Sequence, residues 1–382
     1  MPGALHGLLV LDLSSHLSGP YCTMLLADMG AEVLKVERPG RGDEARAMPP
    51  FVDGRGAPFD VWNRGKRSIA LDAKRAEDLA LLKRIAARAD VLVENLRPGA
   101  LARMGLQWEA LHAANPRLIV ASISGFGSVG PWSGHGGFDL MTQGMAGLMA
   151  GNGPEQGEPH RLPIAISDLA AGMQACIAIL GALNARHATG RGQRVETSLF
   201  AAAMALGVYE AAHVLALGTQ PPRMGQAHRG NAPYQVFQAA DGWMTVGAAQ
   251  PDFWTALCGI LELPELLTDL RFTTVADRVT NHQALVSLLA PRFRAKPRAH
   301  WLAALQSAGI PAEPVLAYDE ALAHPQASAI GIVAPIPGAT SGLRSTLAPP
   351  FTMSHTPAEV CSPAPTLDAD GAAIRARFAQ AG

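Results

Sequence analysis

Short runs of β-branched and aliphatic residues alternate with helical patterns along the first third of the chain. The four runs cover residues 8–13, 32–36, 91–94 and 118–122. Between them, Leu79, Leu82, Ile85 and Ala86 recur at the three-to-four-residue spacing of an amphipathic helix. Strands that alternate with helices are typical of a parallel sheet with helical crossovers. The pattern predicts a large α/β domain with a Rossmann-like parallel sheet.

A long uncharged segment begins directly after Asp168. Residues 169–185 contain no Asp, Glu, Lys or Arg. They include Gly172, Gln174, Gly181 and Asn184, so the segment lacks the roughly 20 apolar residues of a membrane span and predicts a core helix. A carboxylate at a helix N-terminus is favoured electrostatically and can serve as a nucleophile. Asp is also an ordinary N-cap residue, so spacing alone leaves both a structural and a chemical role open.

The second half of the chain predicts a smaller unit. Helices are predicted at 168–187 and 198–216, after which the Pro- and Gly-rich stretch 218–233 is interpreted as a crossing between domains. A strand at 243–248 and helices near 253–261, 281–289 and 297–308 indicate an α+β domain. The predicted boundaries are 1–220 for the large domain and 225–330 for the small one. Residues 331–382, rich in proline from residue 334, are predicted to return to the large domain.

Composition excludes several classes of protein. The 382 residues are 48% hydrophobic and 16% charged, which suits a globular chain with a large core. The 31 basic and 32 acidic residues give a formal net charge of −1, with no basic stripe for nucleic acid. Asp12 interrupts the first apolar run, which predicts a strand and no signal peptide. The four cysteines are far apart, without a CxxC pair, and are expected to be reduced thiols in the cytoplasm.

Several catalytic motifs are absent or incomplete. Residues 125–130 match GxGxxG, but Pro131, Trp132 and Gly134 follow where a dinucleotide-binding helix would begin. The sequence has no GxxxxGK[ST], no HExxH and no GxSxG. Nicotinamide, nucleotide triphosphate and metal-dependent chemistry are therefore not indicated, and no metal site is predicted.

A set of short segments occurs in a distinctive order along the chain. The segments are GAEVLKVERP (30–39), GD (42–43), NRGKRSIALD (63–72), ENLRPG (94–99), RMGL (103–106), SGFG (124–127), GFD (137–139), DLRF (269–272) and GIPA (309–312). Together they resemble the class III coenzyme A transferases, a family that includes formyl-CoA transferase, the carnitine CoA-transferases and the α-methylacyl-CoA racemases. The resemblance extends almost from end to end.

The resemblance implies a function for Asp168. In the transferases of this family, an aspartate at this place attacks the acyl-CoA thioester and forms an aspartyl anhydride, then an aspartyl-CoA thioester. It further implies CoA as a substrate with no permanently bound cofactor, an acyl-CoA donor and a carboxylate acceptor as partners, and an interlocked homodimer. The carboxylate must be ionised, which an ordinary Asp pKa of about 3.9 already ensures at neutral pH, so the chemistry requires no tuning of the Asp168 pKa.

The resemblance also implies binding residues. Positions that match the family's CoA contacts are Arg38, Leu71, Lys74, Asn95, Arg103 and Met104. The substrate pocket is expected to include Ser15, His16, Leu17 and Phe138. Each position also has an ordinary interpretation: surface cations for Arg and Lys, core packing for Leu71 and Met104, and a turn residue for Asn95.

Two departures from the racemases favour CoA transfer. Phe138 stands where the racemases carry a histidine, and Gln250 stands where they carry an acidic residue, so Asp168 lacks a partner for two-base proton transfer. An α-methylacyl-CoA racemase and a non-catalytic acyl-CoA-binding protein remain the alternatives.

The substrate is less closely defined by the sequence. Leu17 replaces a glutamine of the formyl-CoA transferases, and residues 224–230 lack their run of glycines, which argues against formate and oxalate. A small dicarboxylate or a branched acyl group fits the remaining pattern. Residues 224–230 are interpreted either as a mobile lid or as an interdomain linker.

Overall fold

The structure, a computed structural model, describes residues 2–379. The strands, in chain order, are β1 (Leu9–Asp12), β2 (Glu32–Glu37), β3 (Phe51–Val52), β4 (Arg55–Gly56), β5 (Lys66–Ala70), β6 (Val91–Glu94), β7 (Ile119–Ser124), β8 (Arg194–Ser198), β9 (Tyr234–Ala239), β10 (Gly242–Gly247), β11 (Ala312–Pro314), β12 (Val333–Pro335) and β13 (Ser345–Leu347). The α-helices are α1 (Ser18–Asp28), α2 (Ala57–Trp62), α3 (Ala76–Arg88), α4 (Ala100–Arg103), α5 (Trp108–Ala114), α6 (Asp139–Met145), α7 (Leu148–Gly151), α8 (Ile166–Thr189), α9 (Leu199–Leu206), α10 (Val208–Leu217), α11 (Pro251–Ile260), α12 (Val275–Thr280), α13 (His282–Arg294), α14 (Arg298–Ser307), α15 (Tyr318–Leu322), α16 (Pro325–Ala329) and α17 (Gly371–Arg377). Short 3₁₀ helices lie at Glu44–Ala47 and Pro264–Leu267.

The chain forms two compact units. The first contains residues 2–149, 161–216 and 325–379, and the second contains residues 150–160 and 217–324. The sequence analysis assigned 150–160 to the large domain. In the structure this segment lies with the second unit, where Arg223 Nε donates to the Pro154 carbonyl at 3.2 Å and Gln283 Nε2 donates to Glu155 at 3.2 Å. Residues 325–330, which were assigned to the small domain, lie with the first unit.

A six-stranded sheet forms the centre of the first unit. Its strand order is β5-β2-β1-β6-β7-β8, and all pairs are parallel. The predicted parallel sheet is confirmed. This order is that of doubly wound nucleotide-binding folds, in which the chain reverses direction across the sheet between the first and fourth strands. Here the reversal lies between β1 and β6, so a crevice is expected beyond the carboxyl ends of these two strands.

The central strands are buried on both faces. Alternate residues enter two separate cores, with Val10, Val33 and Val93 on one side and Leu11, Leu34 and Leu92 on the other. The first core contains residues of α1 and α8, and the second contains residues of α3, α5 and α17. Strands covered on both faces are near-continuously apolar, which explains why β1, β2, β6 and β7 were recognisable in the sequence.

Helix α8 crosses the first core. Among the described helices, α8 is long and apolar enough to span a membrane by length and composition, with a mean hydropathy of 1.6, and the bent pair α9–α10 passes the same test when counted as one span. Half of that α8 window is buried inside the protein. Gly172 permits close contact between α8 and α1, because a Cβ at this position would lie 2.6 Å from the Ser18 carbonyl oxygen.

The second unit is an α+β structure. Its sheet has the order β11-β10-β9, with antiparallel pairs, and the apolar faces of α11, α13 and α14 cover it. No helix or strand lies between Leu217 and Tyr234, within the stretch interpreted as a crossing. Part of that stretch is attached to β9, since His228 N donates to the Tyr234 carbonyl at 3.0 Å. Whether residues 224–230 act as a lid stays a prediction.

Candidate active site at the carboxyl edge of the parallel sheet

The loop between β1 and α1 lies at the topological switch point of the sheet. Asn95, the first residue after β6, holds this loop through both ends of its amide. Its Oδ1 accepts from Ser15 N at 2.9 Å, and its Nδ2 donates to the Ser15 carbonyl at 2.8 Å and to Ser18 Oγ at 3.3 Å. The loop is therefore fixed to the neighbouring strand at the place where α/β folds bind their ligands.

His16 occupies a strained position in this loop. It has a φ of 65°, a conformation that non-glycine residues rarely adopt. Its backbone N–H donates to Asp43 Oδ1 at 3.1 Å, while Asp43 Oδ2 lies 2.8 Å from the buried Lys35 ammonium. The imidazole is exposed, with Nδ1 3.8 Å from a Glu44 carboxylate oxygen. Asp43 and Lys35 thus stabilise a conformation that places the His16 side chain at the edge of the sheet.

A cluster of buried charged residues lies next to the β1–α1 loop and stabilises it. Asp12 accepts hydrogen bonds from Ser14 and Thr23 and pairs with Lys66 at 3.0 Å. Burial alone would raise the pKa of Asp12, but the two lysine ammonium groups, Lys66 and Lys35, together with these hydrogen bonds outweigh it and hold the pKa below its usual range. Burial lowers the pKa of Lys66 to about 8 despite the attraction of Asp12.

Asp168 lies in the first turn of α8, against the start of α1. The helix begins at Ile166, two residues before Asp168, and the Asp168 side chain does not cap it. Ser18, the first residue of α1, instead acts on the Asp168 carboxylate in favour of its ionised form. The capping interpretation is therefore wrong for this residue, because the helix starts earlier than the sequence suggested.

Asp139 takes the capping place at this helix terminus. Its Oδ1 accepts from Ser167 N at 2.9 Å, and its Oδ2 accepts from Gln143 Nε2 at 2.8 Å. Burial and the neighbouring Asp139 charge raise the pKa of Asp168 to about 6, against the lowering effect of Ser18 and His16. The sequence alone does not show this shift of the Asp168 pKa, because it does not show that a second carboxylate folds beside Asp168. At pH 7 the carboxylate is still mostly ionised.

A cavity lies along the same edge of the sheet, above β1 and β2. It has a volume of about 150 Å³ and is lined by backbone and side chains of the β1 and β2 loops, with Ser15, Arg38, Leu71 and Met104 among them. Leu71 is buried and the Arg38 side chain is 75% exposed. Three of the six predicted CoA contacts therefore line one cavity, in which the Arg38 guanidinium lies 3.1 Å from the Glu44 carboxylate.

The other predicted binding residues lie outside this cavity. Lys74 and Arg103 are exposed, and Arg103 folds back toward Gly99. Phe138 immediately precedes α6 and is 68% exposed, next to Asp139. Leu17 is the N-cap residue of α1 and half-buried. Asn95 holds the β1 loop, as described above, with both amide protons already donated.

Sequence reasoning missed the residues that position Asp168 and its loop. Asp139 binds the N-terminus of α8 beside Asp168, and Asp12, Lys35 and Asp43 support the β1–α1 loop from within the fold. The sequence does contain a signal for Asp12, Lys35 and Asp43. Charged residues inside or just after apolar parallel strands are seldom buried without a partner, so their positions indicate paired charges beneath a site.

A family model, described as CoA-transferase family III, matches residues 5–371 of the chain. The chain belongs to CoA-transferase family III. Similar proteins include the succinyl-CoA:glutarate CoA-transferase of Mus musculus, 38% identical over 95% of this chain and 84% of the relative. The acetyl-CoA:oxalate CoA-transferase of Acetobacter aceti is 37% identical over 99% of this chain and 96% of the relative. A crystal structure of a CaiB/BaiF family protein from Brucella suis has a TM-score of 0.90 and 39% identity, covering 99% of this chain and all of that one.

Family membership gives the site a chemical context. The resemblance inferred from the sequence is confirmed, and this protein is an enzyme of the CoA-transferase class. The CoA-transferases that this chain resembles act on a CoA thioester and a carboxylate. The first unit has groups suited to both: a cavity at the carboxyl ends of β1 and β2 that includes Arg38 and Leu71, and the Asp168 carboxylate with its raised pKa.

Proposed function

We propose that this chain transfers CoA from an acyl-CoA donor to a small carboxylic acid, with Asp168 as the nucleophile. The supporting observation is the position of the Asp168 carboxylate, half-buried in the first turn of α8, where Asp139 binds the preceding Ser167 N–H and the Asp139 charge acts on Asp168. A nucleophile needs a fixed, partly desolvated carboxylate that still ionises at neutral pH.

The proposed reaction has four steps. An Asp168 carboxylate oxygen attacks the thioester carbonyl carbon, and the C–S bond breaks to give an anhydride and the CoA thiolate. The thiolate attacks the Asp168 carbonyl carbon, which releases the donor acid and leaves an aspartyl-CoA thioester. The acceptor carboxylate then attacks that thioester and expels the thiolate. In the last step the thiolate attacks the acceptor's carbonyl carbon, giving the new acyl-CoA and the free Asp168 carboxylate.

Binding of the CoA moiety is expected to supply most of the rate enhancement. A helix terminus stabilises a charge by only about 0.3–1 kcal/mol, whereas enzymes typically lower barriers by about 8 kcal/mol or more. Contacts remote from the reacting carbon can hold the thioester at attack distance from Asp168. The cavity beside Arg38, Leu71 and Met104 is the proposed binding place for part of CoA, and Lys74 and Arg103 are proposed to meet its phosphates.

We further propose that the acceptor is a small dicarboxylate. His16 presents an exposed imidazole at the same edge of the sheet, so one carboxylate of the acceptor is proposed to reach Asp168 while the other accepts a hydrogen bond from the His16 imidazole. The similar enzymes named above act on glutarate and oxalate, both dicarboxylates. Oxalate, which the Leu17 position argues against, therefore belongs in the set of acceptors to test.

The covalent route is tested by trapping. The protein is mixed with acetyl-, succinyl-, glutaryl- and aromatic acyl-CoA, quenched with hydroxylamine, and analysed by intact mass and peptide mapping. A hydroxamate at Asp168 is expected with the productive donor. Asp168→Asn should form none, whereas Asp53→Asn, which changes an exposed carboxylate in the same unit, should behave as wild type.

Other outcomes would change the assignment. Binding of acyl-CoA with neither adduct nor transfer would indicate a binding protein. Exchange of the α-hydrogen of a 2-methylacyl-CoA in deuterium oxide, lost in Asp168→Asn, would indicate a racemase.

For the acceptor, His16→Gln is expected to raise the KM for glutarate about tenfold with little change in the KM for acyl-CoA. Equal effects on both would contradict the proposed role of His16.

We also propose that two copies of this chain form a homodimer. Helices α8 and α10 of the first unit expose a set of apolar side chains: Ile177 (60%), Val208 (72%), Tyr209 (56%) and Leu215 (87%). An exposed apolar face of this kind supports an interface with another protein surface. Light scattering is expected to give twice the chain mass, and Val208→Asp with Leu215→Asp should reduce it. A monomeric wild-type protein at micromolar concentration would contradict the dimer.

A further inference from the structure

The outer edge of β5 is covered by the C-terminal segment of the chain. β5 is an edge strand of the parallel sheet, and the backbone groups on its outer side need partners from elsewhere. Asp370 binds Ser68 twice, since its Oδ2 accepts from Ser68 N at 3.0 Å and its own N–H donates to the Ser68 carbonyl at 3.1 Å. Asp368 Oδ1 accepts from Ala70 N at 2.8 Å, and Arg375 Nη2 donates to the Ala70 carbonyl at 2.7 Å. Two alternate residues of β5 are thus bonded as a further strand would bond them.

The peptide unit that joins Ala70 to Leu71 is held at both of its polar atoms. Arg375 binds its carbonyl oxygen, and its N–H, which belongs to Leu71, donates to the Glu37 carbonyl at 2.9 Å. Because a peptide unit is planar, these two contacts fix the orientation of the plane and the direction in which Leu71 leaves the strand. Leu71 is buried and lines the cavity proposed for CoA. Arg375 therefore acts on one wall of that cavity.

Asp368 and Arg375 form a pair that the local backbone makes possible. Arg375 Nη1 donates to Asp368 Oδ1 at 3.3 Å, and Asp368 has a φ of 60°, which directs its carboxylate toward both Ala70 and Arg375. Gly371 leaves room for the pair, because a Cβ at this position would overlap Asp368 Oδ1 and lie 2.5 Å from Arg375 Nη1. The neighbouring Ile374 is fully buried in the same apolar core as Leu71 and anchors α17 to the sheet.

A second set of contacts connects the same segment to another part of the cavity lining. Asp368 N donates to Ser68 Oγ at 3.0 Å, and the Ser68 hydroxyl donates to Glu37 Oε1 at 2.6 Å. Glu37, which lines the cavity, also accepts from Asp43 N at 3.0 Å. The C-terminal segment thus supports both the end of β5 and the end of β2.

We propose that Asp368 and Arg375 are positioning residues of the acyl-CoA site, which fix the end of β5 and therefore the place of Leu71 in the cavity wall. This inference rests on the proposed binding of CoA in that cavity. A binding site functions well when its walls are held within about 0.5 Å of the productive geometry. Loss of the pair is expected to raise the Kd for CoA and the KM for acyl-CoA, with kcat nearly unchanged because Asp168 is carried by α8.

Three variants change the pair in different ways. Asp368→Gly removes the carboxylate and suits the positive φ, and it is expected to raise the Kd for CoA about tenfold, the effect of losing one charge-assisted hydrogen bond. Asp368→Asn keeps an acceptor oxygen at the same place and should stay within about twofold of wild type. Gly371→Ala displaces the flexible ends of both side chains, so it should also weaken CoA binding about tenfold. Its Tm should not fall, because alanine favours a helix more than glycine does.

Arg377→Gln is the matched control in the same helix. Arg377 pairs with Glu32 at 2.7 and 2.8 Å, and Glu32 is the first residue of β2, at the end of the strand opposite to the cavity. Free CoA is titrated into each protein by isothermal titration calorimetry, and kcat and KM are measured with the acyl-CoA that forms the hydroxamate. Hydrogen exchange of residues 66–73, followed by mass spectrometry, is expected to be faster in Asp368→Gly and Gly371→Ala than in wild type. The control should match wild type in its Kd for CoA.

The outcomes separate positioning from simple cover of the sheet edge. Faster exchange at residues 66–73 with an unchanged Kd and KM would overturn the proposal, because the segment would then only protect the strand. An equal loss of affinity in Arg377→Gln, or in Asp368→Asn and Asp368→Gly alike, would also overturn it. A wild-type protein that binds CoA but transfers none would overturn the proposed function, and the Kd values would still decide the role of the pair. A wild-type protein that binds no CoA would overturn both.

Discussion

Replacing the nucleophile candidate by its neutral isostere is expected to stabilise this protein. Burial and the neighbouring Asp139 raise the pKa of Asp168 from 3.8 to about 6 in the folded state. Folding therefore disfavours the ionised form of this side chain. Asp168→Asn removes the charge and keeps nearly the same side-chain shape and volume. The variant should be more stable than wild type at neutral pH.

The magnitude follows from the shift. A rise of roughly two pKa units corresponds to about 3 kcal/mol, at 1.36 kcal/mol per unit. Asp168 is partly exposed, so screening reduces the expected gain to about 1–2 kcal/mol. Because the folded-state pKa is raised, the penalty is complete above about pH 6 and disappears below about pH 4, where the carboxyl is protonated in both states.

Thermal melting across pH 4 to 8 tests this expectation. The difference in Tm between Asp168→Asn and wild type should be positive at pH 7.5 and should shrink as the pH falls through 6. Glu37→Gln is the control of opposite sign, because Glu37 is buried and makes two 2.7 Å hydrogen bonds with Arg46, and its pKa is lowered. A lower Tm for Asp168→Asn at pH 7.5, like that of Glu37→Gln, would refute the reasoning.

Two further substitutions have matched controls. Gly172→Ala would place a Cβ 2.6 Å from the Ser18 carbonyl and should cost about 1–3 kcal/mol, with a fall in kcat because α1 must move away from Asp168. Gly181→Ala is the control, because Gly181 lies in the same helix with no atom within 4 Å of its Cβ position. It should leave kcat unchanged and raise the free energy of unfolding by up to about 1 kcal/mol. Equal losses of Tm and activity in the two variants would contradict this account. Arg38→Gln is expected to raise the KM for acyl-CoA about tenfold through loss of a charge-assisted contact. Arg41→Gln, which changes an exposed arginine nearby, should not change this KM. An equal rise in both variants, measured by steady-state kinetics, would indicate a general charge effect and contradict the role of Arg38.

The sheet was predictable where its strands are apolar on both faces. Strands β1, β2, β6 and β7 lie within two residues of the ranges read from the sequence. The two edge strands, β5 and β8, were missed because they contain Lys66, Ser68, Arg194 and Glu196 in place of a continuous apolar run. In β5 these polar residues are buried and paired with Asp12 and Glu37. A propensity argument cannot supply partners that lie more than 30 residues away in the sequence.

The sequence predicted which residue is the candidate nucleophile, but it did not predict the groups that surround that residue. The family resemblance selected Asp168, and three of the predicted CoA contacts line one cavity. The neighbours of Asp168 come from α1 and α6, which are 150 and 29 residues earlier, counting from Ser18 and Asp139. The raised pKa of Asp168 depends on these neighbours and on burial. It could therefore not be derived from the residues around Asp168 in the sequence.

The charges around the site divide into a balanced group and an unbalanced one. Asp12, Asp43, Lys35 and Lys66 are buried together with two charges of each sign, and in the described structure they hold the β1 loop. By contrast, the Asp168 carboxylate has Asp139 beside it. The burial of Asp168 and the charge of Asp139 together raise the pKa of Asp168. In the proposed reaction, formation of the aspartyl anhydride removes the Asp168 charge and moves it to the CoA thiolate. Repulsion from Asp139 is then relieved in the first covalent step, so part of the instability of the resting carboxylate favours its attack on the thioester.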